Sequence, residues 1–235
     1  MGTVLVACRT IEGEVLRVAS EAGFVGEVRW IESGLHNRPE VLRARLQEEI
    51  DRIDGADTVL LAFGYCGNSL VGLTARGFRL VFPRADDCIT LLLGSCARRQ
   101  EISSEVGTYF LTKGWLEHET NLWAEHQASV RKWGAERAER LRARMLAHYG
   151  RLAVVETGAY DLPSFVERTR PIAEALKLDH AVVPGSLRFL GKLLTGPWDE
   201  EFLSLAPGET VTVERIFGPP ATTARPGGES PAAEG

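Results

Sequence analysis

Short apolar runs alternate with stretches of helical period along the first hundred residues. Thr3-Val-Leu-Val-Ala-Cys8 is continuously apolar and too short for a helix, so it predicts a buried strand. From Ile11 to Gly23, Val15, Leu16, Val18 and Ala19 share one face and Gly23 supplies a stop, which predicts a helix. Val25 to Ile31 alternates weakly and predicts a second strand. After the loop 32–39, Val41, Leu42, Leu46, Ile50 and Ile53 recur at helical spacing. Pro39 suits the first turn of that helix, with Asn37 as its N-cap. Thr58-Val-Leu-Leu-Ala-Phe63 and Phe78-Arg-Leu-Val-Phe82 predict a third and a fourth buried strand. Asp86 or Asp87 can cap a helix running from Cys88 to about Arg99, in which Cys96 is packing.

The second half is less regular. A strand or loop is expected at 108–111. Residues 118–149, rich in Ala, Glu, Arg and Leu with one internal Gly134, predict one long helix or two shorter ones. Trp123, Val130, Trp133, Ala138, Leu141 and Met145 recur there at helical spacing and are expected in the core. Arg151–Val155 and Ala181–Val183 predict strands around a helix at 164–178, with a short helix at 186–194. Phe202–Leu205 and Glu209–Val213 read as a closing strand pair around Pro207-Gly208. From Gly218 onward no aliphatic side chain exceeds Ala, which predicts a disordered tail.

Strand–helix alternation argues for an α/β fold: a parallel Rossmann-like sheet with helices on both faces. It is either one extended sheet or two related lobes joined by the long helix. The corresponding division is 1–115, carrying the candidate site; 116–217, the long helix and second lobe; and the tail, 218–235.

Composition narrows the function classes. The 235 residues suffice for one large domain or two small ones, and 44% hydrophobic with 25% charged is ordinary globular usage. A net charge of −5 gives no general attraction to nucleic acid or to an anionic membrane surface. No apolar run reaches membrane-helix length, and the first residues enter a strand without the basic region of a signal peptide. The default expectation is a cytoplasmic protein whose four cysteines are thiols.

The candidate chemistry comes from placement. Cys8, His36, Cys66 and Cys88 each stand just past the C-terminal end of one of the first four strands, and in a parallel sheet those ends share an edge. Soft thiolates with an imidazole suit Zn²⁺; three ligands and an open position make a catalytic site, four a structural one. Strands lie about 4.8 Å apart and Zn–S bonds are about 2.3 Å, so one ion gathers ligands from two or three strands with help from loops. The third strand is expected beside the first, which makes Cys8 and Cys66 the nearest pair. The chain has no C-x-x-C and no H-x-x-x-H, and the alternative is that the cysteines line a pocket without metal. Cys88 also reads as a nucleophile, favoured by a helix N-terminus and Arg84 and opposed by Asp86 and Asp87.

Gly67 and Asn68, in the Gly-rich turn 64–69, can offer backbone N–H groups to a cofactor or anion. Arg84 can grip a carboxylate or phosphate at two points, or form a surface ion pair. Asp87 can hold a ligand or move a proton. Glu156 or Tyr160 can enter the same cleft from the second lobe, and His118, His126 and His148 are expected to be solvated.

These residues carry a family resemblance. Gly34-Leu-His-Asn37, Gly64-Tyr-Cys-Gly-Asn68 with Gly72-Leu73, the run Pro83-Arg-Ala-Asp-Asp-Cys88 through Ser95, and Gly107-Thr-Tyr109 with Gly114-Trp115 resemble the domain of unknown function 1638. The similarity spans about residues 3–215. Ser69 stands where other members have Gly, a change a loop tolerates. The family name carries no activity. The resemblance implies a one-carbon or methyl-transfer context beside corrinoid-dependent methyltransferases, and it adds weight to His36, Cys66, Arg84, Asp87 and Cys88.

The combined expectation is a Zn²⁺–thiolate enzyme. Cys8, His36, Cys66 and Cys88 would be its ligands, and Arg84 and Asp87 would act beside them. Its substrate would be a small thiol or methylated compound, and a corrinoid protein its partner. The alternative is a non-catalytic protein that holds a metal, a corrinoid or a partner. A metal-free cysteine enzyme is the third reading.

Overall fold

Continuous apolar runs become the centre of a sheet because strands buried on both faces need no polar side. In the computed structural model, which describes residues 2–118 and 121–218, β1 (Thr3–Cys8), β2 (Glu27–Ile31), β3 (Thr58–Ala62) and β4 (Arg79–Pro83) form a parallel sheet in the order β2-β1-β3-β4. The expected parallel α/β sheet is therefore present, with β3 beside β1 as anticipated. β8 (Phe202–Leu205) closes the far edge antiparallel to β4, with Leu80 opposite Leu205.

Helices cover both faces. Val15 and Val18 of α1 (Glu12–Glu21) pack with Leu190, Leu193 and Leu194 of α9 (Arg188–Thr195) over Leu5 and Ala62. Strand alternation turns Cys8 to the opposite face from Leu5, and there it meets Leu42 of α2 (Pro39–Asp51). Asn37 does not cap α2; the N-cap position is Arg38, without a side-chain cap.

A second parallel sheet has the order β5-β6-β7, from β5 (Thr108–Leu111), β6 (Arg151–Glu156) and β7 (Asp179–Pro184). The sheets exchange chain: β5 comes from before residue 115 yet joins the second sheet, and β8 comes from after it yet joins the first. Phe110, Ala153, Val155 and Val183 share one apolar core with β1, β3 and β4.

Several expectations are corrected. The helix expected from Cys88 to Arg99 is two: α3 (Cys88–Leu93) ends on Gly94 in the left-handed region (φ 85°), and Ser95 caps α4 (Cys96–Glu105). Of the two alternatives for 118–149, one long helix or two shorter ones, the structure has the second: α6 (Leu122–Trp133) and α7 (Ala135–Met145), separated at Gly134. Val130, Trp133 and Met145 are exposed rather than core, because the hairpin buries Ala138 and packs Leu122 and Trp123 against the second core but leaves its other side to solvent; Lys132 and Arg137 flank the Trp133 ring. Residues 209–213 form no strand beyond a single bridge, Thr74 to Thr210. Thr212 instead caps the short α10 (Val213–Phe217). The tail expected from 218 lies outside the described residues after Gly218. Among the described residues no helix is long and apolar enough to cross a membrane.

Candidate functional site

Close backbone packing brings the strand ends together. Gly64 follows β3 where a Cβ would stand 2.4 Å from the Asp87 backbone, so only glycine lets the two loops meet. The N–H groups of Tyr65 and Cys66 donate at 2.8 Å to the carbonyls of Ala85 and Asp86, tying the loops side by side. The chain then turns through three successive left-handed residues, Cys66 (φ 43°), Gly67 (φ 68°) and Asn68 (φ 67°). A non-glycine residue pays roughly 1–2 kcal/mol for that conformation, and here the cysteine itself is held in it.

Cys8, His36, Cys66 and Cys88 line one small cavity, with Thr10, Glu32, Gly34, Leu35, Leu42, Phe63 and Trp115. The four residues expected at the strand ends are thus gathered around a common space. Their pairing differs from expectation: Cys88, not Cys66, is the neighbour of Cys8, and Cys88 in turn adjoins Cys66. The reason is the close approach at Gly64, which carries the 86–88 loop beneath the 64–66 loop. Cys8 is pushed far above the ordinary thiol range by its Cys88 neighbour and then by burial. Cys88 is also raised well above it, first by Cys66 and then by burial, while its contact with Cys8 lowers it. Neither buried thiol has the lowered pKa of a nucleophile, contrary to the reading of Cys88 as one.

The Cys8 thiol donates to Thr10 Oγ1 at 3.2 Å, and that hydroxyl donates to Ser33 Oγ at 3.1 Å. The rim is closed by Trp115 of α5 (Lys113–His118), whose ring centroid lies 5.3 Å from that of His36. The space open to the centre of a water-sized sphere is about 10 Å³, room for one ion or water and for no organic substrate. Among the described residues, no group of three or more His, Cys, Asp or Glu side chains is arranged to hold a metal ion as it stands.

Gly67 and Asn68 are exposed beside this cavity. Asp87 and Arg84 stand apart from it. Asp87 caps α3, accepting from Thr90 N at 2.9 Å and Thr90 Oγ1 at 3.0 Å, and its other oxygen pairs with Arg99. Arg84 donates through Nη1 to the carbonyls of Arg215 and Ile216, both at 2.8 Å, holding the end of α10. Glu156 is exposed, and the Tyr160 hydroxyl donates to the Val155 carbonyl. His148 is exposed, whereas Nδ1 of His126 is buried without a partner among the described residues, so His126 is not the solvated residue expected. The side chain of His118 lies outside the described residues.

Sequence reasoning missed Trp115, Thr10 and Glu14. Gly114 was a usable signal: its Cβ would fall 1.9 Å from the Thr10 carbonyl oxygen, so α5 is clamped onto the turn after β1. Glu14 is buried, its Oε1 accepting from Thr157 Oγ1 at 2.9 Å across the two sheets, and burial raises its pKa.

The model of a family described as "Protein of unknown function (DUF1638)" matches residues 30–194, more than two thirds of the chain. The match includes His36, Cys66 and Cys88 and leaves Cys8 outside it. No curated protein and no solved structure matches the chain.

Proposed function

The chain belongs to the DUF1638 family of proteins of unknown function, and we propose that its cysteine pocket holds one soft cation, Zn²⁺, for one-carbon chemistry on a small thiol or methylated compound. Cys8, Cys66 and Cys88 supply the thiolates and His36 stands at the rim as the nitrogen ligand. The observation that carries the reading is the meeting of three thiols and one imidazole on a cavity of ion size. Thiol neighbours and burial hold Cys8 and Cys88 above the ordinary thiol range, and a cation is what makes thiolates of them at neutral pH.

The donor set suits the ion in kind and the space suits it in size. The side chains are not closed on one point as they stand, so uptake includes turning the thiols inward and releasing protons. When bound, such an ion lowers the pKa of a coordinated thiol and keeps it nucleophilic. The chain's own residues shape access. Trp115 packs beside His36 at the rim over the buried Cys8 and Cys88, while Cys66 stays partly exposed, and a cavity of this size admits an organic substrate only if the rim opens. Thr10 and Ser33 provide a hydroxyl path for the proton leaving Cys8. The family resemblance adds a corrinoid protein as partner to this proposal.

The smallness of the cavity favours a second reading, a non-catalytic protein that holds the ion or a corrinoid partner. Elemental analysis of protein purified without a histidine tag tests the first claim. One metal per chain is expected, with most of it lost in Cys66→Ser. A wild-type protein that carries none and takes up neither Zn²⁺ nor Fe²⁺ ends the first reading and the ion-holding form of the second. A loaded protein inert toward methylated thiols, methylated amines and methyl-corrinoid selects the second.

A further inference from the structure

A second constellation lies on the other side of the Tyr65–Cys66 peptide. Among the described residues, Nε of Arg84 is buried with no well-formed hydrogen bond, and the hydroxyl of Tyr65, a residue only 7% exposed, is equally without one. Burying donors without well-formed partners is costly, so each of these needs an explanation. The arginine is only half used. Nη1 is spent on the carbonyls of Arg215 and Ile216, while among the described residues Nε and Nη2 make no well-formed hydrogen bond and the guanidinium pairs with no carboxylate.

Nε and Nη2 form the parallel-donor edge of a guanidinium, which matches the two oxygens of a carboxylate. This chain uses that edge for that purpose elsewhere. Arg29 grips Glu27 through Nε at 2.8 Å and Nη2 at 3.3 Å, and Arg142 grips Glu139 through both at 2.8 Å. At Arg84 the edge is set beside a phenol and presents its charge to no internal acid. Burial dominates the pKa of the Tyr65 hydroxyl and pushes it up to about 12, although the hydroxyl lies against the Arg84 guanidinium, whose charge and loose hydrogen-bonding contact pull it down. Asp86, exposed on the same loop, and the Cys96 thiol at the start of α4 are the other titratable groups that Tyr65 feels. The ring of Phe217, 60% exposed, stands edge-on to Tyr65 at 5.8 Å and separates it from solvent beside α10.

We propose that the Nε/Nη2 edge of Arg84 and the hydroxyl of Tyr65 form a binding site for the carboxylate of a small molecule. Tyr65 adjoins Cys66 in sequence and Arg84 shares a loop with Cys88. A molecule anchored there extends along the strand-end edge toward the thiols; only this last clause rests on the function proposed above.

The test reads the Arg84 Nε–H resonance by NMR in the full chain, assigned by its loss in Arg84→Lys. Acetate, inorganic phosphate and chloride are titrated separately at constant ionic strength. A saturable shift with acetate is expected, with none from chloride. Tyr65→Phe, which leaves the α10 bonds intact, should weaken the acetate affinity roughly tenfold or more, as loss of a hydrogen bond to a charged group does. Asp86→Asn should tighten it by removing a like charge. Equal, unsaturating responses to acetate and chloride overturn the site, as does Tyr65→Phe with wild-type affinity. Saturation by phosphate alone overturns the carboxylate assignment. Repeating the titration in Cys66→Ser with a chelator present separates this site from the metal reading, because the acetate response should persist there.

Discussion

Replacing Gly114 by Ala should prise open the cysteine pocket. The added Cβ would stand 1.9 Å from the Thr10 carbonyl oxygen and 2.9 Å from its carbon. Real Cβ contacts do not fall below 3.0 Å, so α5 and the turn after β1 must separate by about 1 Å at this point. Both obstructing atoms are backbone, which cannot rotate aside. Overpacking of this kind costs about 1–3 kcal/mol, which for a chain of this length lowers the melting temperature by roughly 2–12 °C. Because Trp115 is the next residue and covers His36, the same displacement should expose the sulfurs. The assay pairs thermal unfolding with the rate at which a thiol reagent labels Cys88, which is buried in the wild type. Gly77→Ala is the control, since a Cβ there meets nothing within 4 Å. Gly114→Ala with stability within about 0.5 kcal/mol of wild type and unchanged Cys88 labelling would refute the idea that this clamp closes the pocket.

Other consequences are more local. Asp87→Ala should destabilise by about 1–2 kcal/mol, combining a lost N-cap with a partly exposed ion pair to Arg99, and urea unfolding measures it. Glu14 has a raised folded pKa, so its stabilising contribution is complete below the unfolded carboxyl value of about 4.3 and is lost as pH rises through the folded value. Glu14→Gln should therefore match wild type near pH 4 and exceed it in stability at pH 8; parallel curves at the two pH values would contradict this. Alkylation followed by mass spectrometry should label the half-exposed Cys66 and Cys96 before the buried Cys8 and Cys88, and Zn²⁺ should protect Cys66 but not Cys96.

Much of the fold was legible because buried parallel strands write themselves as unbroken apolar runs, as in Val4–Ala7 and Val59–Ala62. Chain exchange between the sheets was not legible. β5 and β8 are only four residues each, and nothing local says which sheet they join. The break after Leu93 was readable in hindsight, since Gly94 followed by Ser95 is a helix stop and then a start. At the site, parallel topology alone was enough to place Cys8, His36, Cys66 and Cys88 on one edge. The order of the thiols depended on the contact at Gly64, which spacing does not reveal. The capping role of Asp87 was readable from the sequence, whereas its ion pair and the bonds of Arg84 were hidden for a similar reason. Their partners are Arg99 beyond a helix break and the carbonyls of residues 215 and 216 at the far end of the chain.

Cobalt substitution tests the shared ion site most directly. Titrating the reduced, metal-stripped protein with Co²⁺ should give one equivalent bound, with a sulfur-to-metal charge-transfer band in the near ultraviolet that falls in each of Cys8→Ser, Cys66→Ser and Cys88→Ser, and d–d bands altered in His36→Ala. A titration with no such band, or a band that survives all three serine substitutions, would mean that these sulfurs share a cavity without sharing an ion.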